Sequence, residues 1–185
     1  MEDNAIIELY WQRNDSAIYE TAAKYGRYCQ RIAYNILSDK RDTEEVVNDT
    51  YLHTWNCIPP HRPQVFSAFL GRITRNLSLS CYRRLHAQRR GGGAVDVALS
   101  ELDECVPSLM NVEIAVEAEE LSEAISLFLS QLKEAERNIF VSRYWFFASI
   151  GEICKSSGYS KSKVESMLHR TRLKLNTYLK KEGLI

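Results

Sequence analysis

The sequence predicts an all-α protein made of two small helical domains that a flexible acidic linker joins, the C-terminal one a helix-turn-helix. Three observations lead to this prediction. Apolar residues recur at spacings of three and four along most of the 185 residues, as on the buried face of a helix. The triplet Gly91-Gly92-Gly93 interrupts this pattern near the middle of the chain. Finally, the 24 acidic and 24 basic residues are sorted into separate blocks.

The N-terminal domain, residues 1–90, is predicted to contain three helices. An apolar stripe from Ile18 to Ile36 indicates the first. Asp42 is expected to cap the second, because Glu45 stands three residues later in the position of a capping box. The pair Pro59-Pro60 ends that helix, since proline lacks a backbone donor and restricts the preceding residue. A third helix is expected from about Phe66 into an arginine-rich stretch.

Residues 91–111 are predicted to be a flexible linker, because this segment is acidic, contains a proline and has weak periodicity. Helices are expected to resume in the C-terminal domain, residues 112–185. An apolar stripe from Leu121 to Leu132 indicates one of them, and a further helix follows from Glu134 to about Phe146.

The end of the chain has the pattern of a helix-turn-helix. Ser149 and Glu152 have the spacing of a capping box and begin a short helix. Gly158 can take the left-handed conformation that the turn needs, and Ser160 is expected to cap a longer helix. One face of that helix is predicted to be buried: Val164, Leu168, Thr171, Leu175 and Tyr178.

The charge blocks favour a nucleic-acid partner. Six arginines and no acid lie between Gly71 and Val95, and eight basic residues against one acid lie between Lys155 and Lys181. Nine acids and no basic residue separate these two modules, from Asp96 to Glu123. Basic patches concentrate phosphate groups, whereas a set of merely solvated faces is the alternative explanation.

Other classes of protein find no support in the sequence. No apolar run approaches the roughly 18 residues of a membrane span, and the acidic N-terminus is unlike a secretory signal. The five cysteines are scattered and never spaced as Cys-x-x-Cys, which favours reduced thiols in a cytoplasmic protein. Without paired carboxylates, a metal-spaced His/Cys set or a phosphate loop, we expect no enzyme activity, no cofactor and no metal.

The longer helix of the helix-turn-helix is a candidate for contact with duplex DNA. Short polar side chains on its outward side suit base contacts in a major groove, and flanking cations suit phosphates. A helical hairpin with a solvated face is the alternative. The residues expected at the DNA are Lys161, Ser162, Lys163, Glu165, Ser166, His169, Arg170 and Arg172.

The segment from Phe66 to Leu77 combines aromatic and basic residues in one predicted helix. Aromatic faces stack on unpaired bases while arginines hold the backbone, which is the chemistry of single-strand binding. Because the spacing is helical, a role in the core is the alternative for its apolar members: Phe66, Phe69, Leu70, Ile73 and Leu77.

Two blocks of the sequence resemble bacterial RNA polymerase sigma factors. The segment Asp42–Trp55, DTEEVVNDTYLHTW, resembles their signature helix, and Phe66–Arg84 resembles the promoter-melting segment that follows it. From Phe140 to Leu175 the chain is similar to the C-terminal sigma domain, including SIGEI and SKSKVESMLHRTRLKL. With two domains and a short linker, the chain most resembles the extracytoplasmic-function (ECF) group of the sigma-70 family.

This resemblance implies partners and site residues. The partners are promoter DNA and core RNA polymerase, through its β′ clamp and β flap, and the acidic linker would thread through polymerase channels. The helix-turn-helix would bind the minus-thirty-five element through the eight residues named above. The face toward the β′ clamp would comprise Glu45, Asn48, Asp49 and Leu52. The minus-ten surface would comprise Arg62, Phe69, Arg72, Arg75, Asn76, Arg83 and Arg84.

Two residues depart from the pattern of the family. Ser80 stands where many relatives have an aspartate, and Glu165 where a lysine is common. A carboxylate at a base-reading position prefers the cytosine amino group, which predicts an altered promoter sequence. An anti-sigma protein is a further partner that the resemblance suggests. A stand-alone helix-turn-helix regulator remains the alternative, although it leaves the helix at Asp42–Trp55 and the first arginine block without a role.

Overall fold

The computed structural model describes residues 1–86, 94–103 and 115–184. These residues form helices and contain no strand, which confirms the all-α prediction. The chain divides into two compact units, Met1–Arg90 and Gly91–Ile185. None of the helices in the described ranges is long and apolar enough to cross a membrane.

The N-terminal unit is a bundle of three long helices with one short helix against it. Helix α1 spans Asp3–Trp11, α2 Ser16–Leu37, α3 Lys40–Cys57 and α4 Phe66–His86. Helices α2, α3 and α4 all pack on one another, and α1 packs on α2. The largest fully buried side chains of this core are Tyr10, Phe66, Ile6, Ile32, Ile36, Ile58 and Leu70.

Helix α1 was not predicted from the sequence. Its apolar residues Ile6, Ile7 and Tyr10 are buried, but nine residues are too few for a clear periodic pattern. The Tyr10 hydroxyl lies 2.9 Å from the hydroxyl of Thr21 on α2, within hydrogen-bonding distance. The short helix is therefore stabilised mainly by tertiary contact, as helices of this length generally are.

The prediction that Asp42 caps α3 was wrong. The helix begins at Lys40, and the carboxylate of Asp39 accepts a hydrogen bond from the Asp42 backbone N–H at 2.9 Å. Both aspartates suit an N-cap by residue type, so composition did not separate them. Asp42 instead lies in the first turn, where its charge complements the positive end of the helix dipole.

The C-terminal unit contains five described helices. They are α5 Ala94–Asp103, α6 Ala115–Gln131, α7 Glu134–Tyr144, α8 Ile150–Ser157 and α9 Lys161–Lys181. Helices α7, α8 and α9 pack together, while α5 packs on α7 and α6 on α9. The predicted positions of α7, α8 and α9 are confirmed.

Helix α5 lies inside the segment that the sequence suggested was a linker. Its residues Val95, Ala98 and Leu102 are buried at spacings of three and four. This apolar stripe spans only two turns and lies among acidic residues, so the sequence pattern did not predict a helix here. The rest of the predicted linker, 91–93 and 104–111, lies outside the described residues.

The caps of the helix-turn-helix agree with the prediction. Ser149 and Glu152 form a complete capping box at the start of α8. Gly158 ends that helix with a φ of 72°, a left-handed conformation that glycine adopts without a Cβ clash. Ser160 accepts a hydrogen bond from the Lys163 backbone N–H and so begins α9 at the expected residue.

Candidate nucleic-acid interface

Helix α9 presents a continuous polar surface to solvent. The outer face of α9, which we define as Ser162, Glu165, Ser166 and His169, is exposed along its whole length. The opposite face is buried against the unit through Val164, Met167, Leu168, Thr171, Leu175 and Leu179. Four of the five residues predicted on the buried face are buried, whereas Tyr178 is half-buried.

The outer face borders an open depression at the N-terminal half of α9. It is lined by Ser160, Ser162, Lys163, Ser166, His169 and Arg170. Hydroxyl and imidazole groups can both donate and accept hydrogen bonds, whereas the two cations attract anions. This combination of side chains is chemically suited to a groove of duplex DNA, where base edges lie between two rows of phosphates.

Two contacts restrain the charged side chains around this depression. The Lys163 ammonium lies 3.6 Å from the centre of the Tyr159 ring, a cation–π contact. Lys161 and Glu165 form an i,i+4 ion pair with 3.8 Å between Nζ and Oε1. Because both members of that pair are exposed, the pair contributes little stability, and the Glu165 carboxylate stays accessible to a partner.

Arg172 does not join the other seven predicted residues of α9. Its side chain is only 13% exposed, and its Nη1 lies 3.5 Å from the Glu101 carboxylate of α5. The same nitrogen donates a hydrogen bond to the Tyr144 hydroxyl at 2.5 Å. Arg143 is buried on α7 and therefore needs an acidic partner, which Glu101 supplies.

Helix α4 carries most of the predicted minus-ten residues. Arg72, Asn76, Arg83 and Arg84 are exposed, while Phe69 is half-buried. Thus α4 combines accessible cations with an aromatic side chain at the edge of the core.

Arg75 is half-buried, whereas the other described arginines of α4 are exposed. Burial, together with the charge of Arg83, lowers the pKa of Arg75 to about 10. The guanidinium stays protonated at neutral pH.

The alternative that the apolar residues of α4 belong to the core is correct for part of the set. Phe66 and Leu70 are fully buried and belong to the core. Phe69, Ile73 and Leu77 are half-buried, since they lie on the edge between the buried and the exposed sides. Among the aromatic residues of this segment, only Phe69 is accessible for stacking.

Arg62 lies away from α4, in the loop that precedes it. Its guanidinium donates a hydrogen bond to the Glu8 carboxylate at 2.7 Å and lies 5.6 Å from the centre of the Trp11 ring. Both contacts are with α1, so they connect the loop to the short N-terminal helix. Arg62 remains largely exposed in this arrangement, and its ion pair is a weak surface pair.

Helix α3 presents the four residues predicted to meet the β′ clamp. Glu45, Asn48, Asp49 and Leu52 are all exposed, and Leu52 leaves 56% of its surface in solvent. The opposite side of α3 is buried through Thr43, Val46, Val47, Thr50 and Thr54. The four side chains are therefore accessible to a partner.

Family comparison assigns both units. The pattern described as sigma-70 region 2 matches residues 22–90, and that described as sigma-70 region 4 matches residues 122–175. Together they cover about two thirds of the chain. The chain belongs to the sigma-70 family. The first match contains α3 and α4, and the second contains α8 and α9 up to residue 175.

Curated relatives carry the same family in their names. The chain is 26% identical over 164 residues to the ECF RNA polymerase sigma factor SigE of Mycolicibacterium smegmatis, covering 89% of this chain and 62% of that protein. It is 28% identical over 156 residues to the protein named "Probable RNA polymerase sigma factor RfaY" of Xanthomonas campestris pv. campestris, covering 80% and 38%. The chain thus spans about 40 to 60% of the length of these relatives.

Among solved structures, the chain is similar to CnrH in the structure of CnrH in complex with the cytosolic domain of CnrY. The sequence identity is 22% and the TM-score 0.45, with 96% of this chain and 97% of that chain covered.

Proposed function

We propose that this chain is a sigma factor of the ECF type, which binds core RNA polymerase and directs promoter recognition, DNA melting and transcription initiation. The observation that carries the proposal is the presence of both sigma-70 regions in order, each with an exposed basic or polar face on the expected helix. The chain would act as a specificity factor without catalysis of its own, in the cytoplasm, where promoter DNA and polymerase are found.

The minus-thirty-five element would be bound as duplex by α9. Its outer face offers short polar side chains at the start of a capped helix, where a major groove admits them. Lys161, Lys163 and Arg170 are exposed beside that face and would contact phosphates, which fixes the register of the helix on the DNA.

The minus-ten element would be bound and opened at α4. Stacking on Phe69 and phosphate contacts to Arg72, Arg83 and Arg84 would stabilise the separated strand. Arg75, half-buried on the same helix, would add positive charge to this surface. Unpairing a base costs about a few kcal/mol, and such contacts would offset this cost without nucleotide hydrolysis.

Core polymerase would dock on α3 through Glu45, Asn48, Asp49 and Leu52. The two carboxylates there favour a basic partner surface, and the exposed Leu52 offers an apolar contact at the C-terminal end of the set. A β-flap contact of the C-terminal domain and an anti-sigma partner remain predictions from the family.

Transcription in a purified system tests the proposal. The chain is mixed with core polymerase and a library of promoter fragments, and run-off transcripts are sequenced. We expect a defined set of transcripts that requires this chain. If the chain fails to bind core polymerase yet binds duplex DNA tightly by itself, it is a stand-alone helix-turn-helix regulator and the proposal is wrong.

A further inference from the structure

The C-terminal unit contains a partly buried charge cluster that lies outside the proposed interface. Its centre is the carboxylate of Glu101 on α5, which accepts hydrogen bonds from Arg143 Nε at 3.3 Å and Nη2 at 3.2 Å. The Tyr144 hydroxyl donates to the same carboxylate at 2.9 Å. Arg172 completes the cluster from α9, with its Nη1 3.5 Å from Glu101 Oε2.

Glu101 occupies this position because α5 packs its apolar stripe on the C-terminal unit. Val95, Ala98 and Leu102 are buried, so the neighbouring Glu101 is held at the edge of the same contact with 27% of its side chain exposed. Arg143 is 4% exposed and also donates to the Ala148 carbonyl at 3.3 Å. The cluster therefore couples α5 to α7 and α9 by charge as well as by apolar packing.

The position of Arg172 on α9 is the second observation. It follows Glu165 by seven residues, which is about two helical turns and places both on the same side of the helix, about 10 Å apart. Glu165 is exposed, but the Arg172 side chain is turned toward Glu101 and is largely covered. Arg172 thus lies at the border between the buried side and the outer face of α9, and its contacts with Glu101 and Tyr144 turn its charge away from the outer face.

We propose that Glu101 is a positioning residue that holds Arg172 away from DNA, so that docked α5 lowers the affinity of this unit for the duplex. The inference rests on the proposed function, in which α9 contacts duplex DNA. Without the Glu101 charge, the Arg172 guanidinium extends along the outer face and reaches one additional phosphate. A partner that displaced α5 would also release Arg172. Binding of a partner to α5 would therefore raise the affinity of this unit for promoter DNA.

Salt dependence measures this effect directly. Each phosphate contact contributes a slope of about −0.9 to a plot of log binding constant against log salt concentration. The full-length chain is titrated against a short random-sequence duplex by fluorescence anisotropy at several salt concentrations. For Glu101→Gln we expect tighter binding and a slope steeper by about 0.9. Glutamine keeps the size of the side chain and an acceptor for Arg143.

Two further variants separate masking from general effects. Arg172→Gln alone should leave the slope unchanged, and in combination with Glu101→Gln it should abolish the gain. Glu134→Gln is the matched control, because it removes the same charge from an exposed site at the start of α7 and should leave the slope unchanged. Circular dichroism checks that each variant keeps the helical content of the parent.

The outcomes distinguish this inference from the proposed function. If neither the parent nor any variant binds duplex DNA at any salt concentration, the proposed DNA contact of α9 is wrong, and this inference is wrong with it. If the parent binds and Glu101→Gln leaves the slope unchanged, only the inference is overturned. The same holds if Arg172→Gln alone lowers the magnitude of the slope by about 0.9, because Arg172 would then already contact phosphate.

Discussion

The two units present their candidate DNA surfaces in different ways. In the C-terminal unit, seven of the eight predicted residues are exposed around one capped helix, with short side chains on its outer face. In the N-terminal unit, the helix α4 mixes exposed arginines with the half-buried Phe69 and Arg75. A regular polar face suits the regular groove of a duplex, whereas half-buried aromatic and charged groups suit unstacked bases that leave the duplex.

The largest effect should come from the N-terminal unit's second surface, on α3. Asp49→Lys places a cation in a face predicted to meet a basic partner, and close interfacial charge pairs are worth about 2 kcal/mol or more. We expect a loss of at least tenfold in affinity for core polymerase, measured by equilibrium titration. Glu123→Lys, at an exposed site on α6, is the control with the same charge change. Equal affinities of the two variants would refute the assignment of α3.

The next effect should separate single-strand from duplex binding. Phe69→Leu keeps an apolar side chain at the edge of the core but removes the aromatic face, which is worth about 1–3 kcal/mol per stacked base. We expect weaker binding of single-stranded minus-ten DNA by the holoenzyme and unchanged binding of a minus-thirty-five duplex. Ile73→Leu, also half-buried on α4, is the matched control. Indistinguishable behaviour of both variants and the parent would mean that Phe69 only packs.

A smaller and more selective effect is expected at Glu165. Glutamine there replaces an acceptor-only group by one that also donates, so the preference for cytosine should shift toward adenine by about 1–3 kcal/mol at one base pair. Selection of binding sites from a randomised minus-thirty-five element measures this shift. Lys161→Gln, on the same helix, should instead weaken binding evenly across sequences. A base preference that is unchanged in Glu165→Gln would place this residue outside the groove.

The smallest effect should be on stability, and it should be local to each unit. Asp39→Ala removes the cap of α3 and Ser160→Ala the cap of α9, each worth about 1 kcal/mol. Hydrogen exchange of the native protein reports on the stability of each unit separately. It should show that Asp39→Ala destabilises the N-terminal unit and that Ser160→Ala destabilises the C-terminal unit. Loss of protection in both units from either variant would show that the units unfold together.

The helix-turn-helix was predictable because its signals are local. The capping box at Ser149, the left-handed Gly158 and the cap at Ser160 each act over three or four residues, and all agree with the sequence. The apolar and polar sides of α9 follow from a 3.6-residue period in the same way. These interactions lie within single helices or their ends, so they hardly depend on how the rest of the chain folds.

Other features escaped the sequence because they depend on distant partners. The short helices α1 and α5 owe their place to packing against larger helices. The partial burial of Arg75, which contributes to the lowered pKa of its side chain, depends on the packing of the N-terminal bundle. The cap of α3 is a different case, because Asp39 and Asp42 both suit an N-cap by residue type.

The sequence by itself determined the helical class, the sigma-70 family and the outer face of α9. Only the tertiary structure decided that Arg172 is withdrawn from that face and that part of the presumed linker is a docked helix. The physical reason lies in range: caps and periodicity couple neighbours along the chain, whereas Glu101 and Arg143 are 42 residues apart and meet only after packing. A basic residue at a position that the sequence pattern buries indicates that it has an acidic partner, but only the fold determines which carboxylate that partner is.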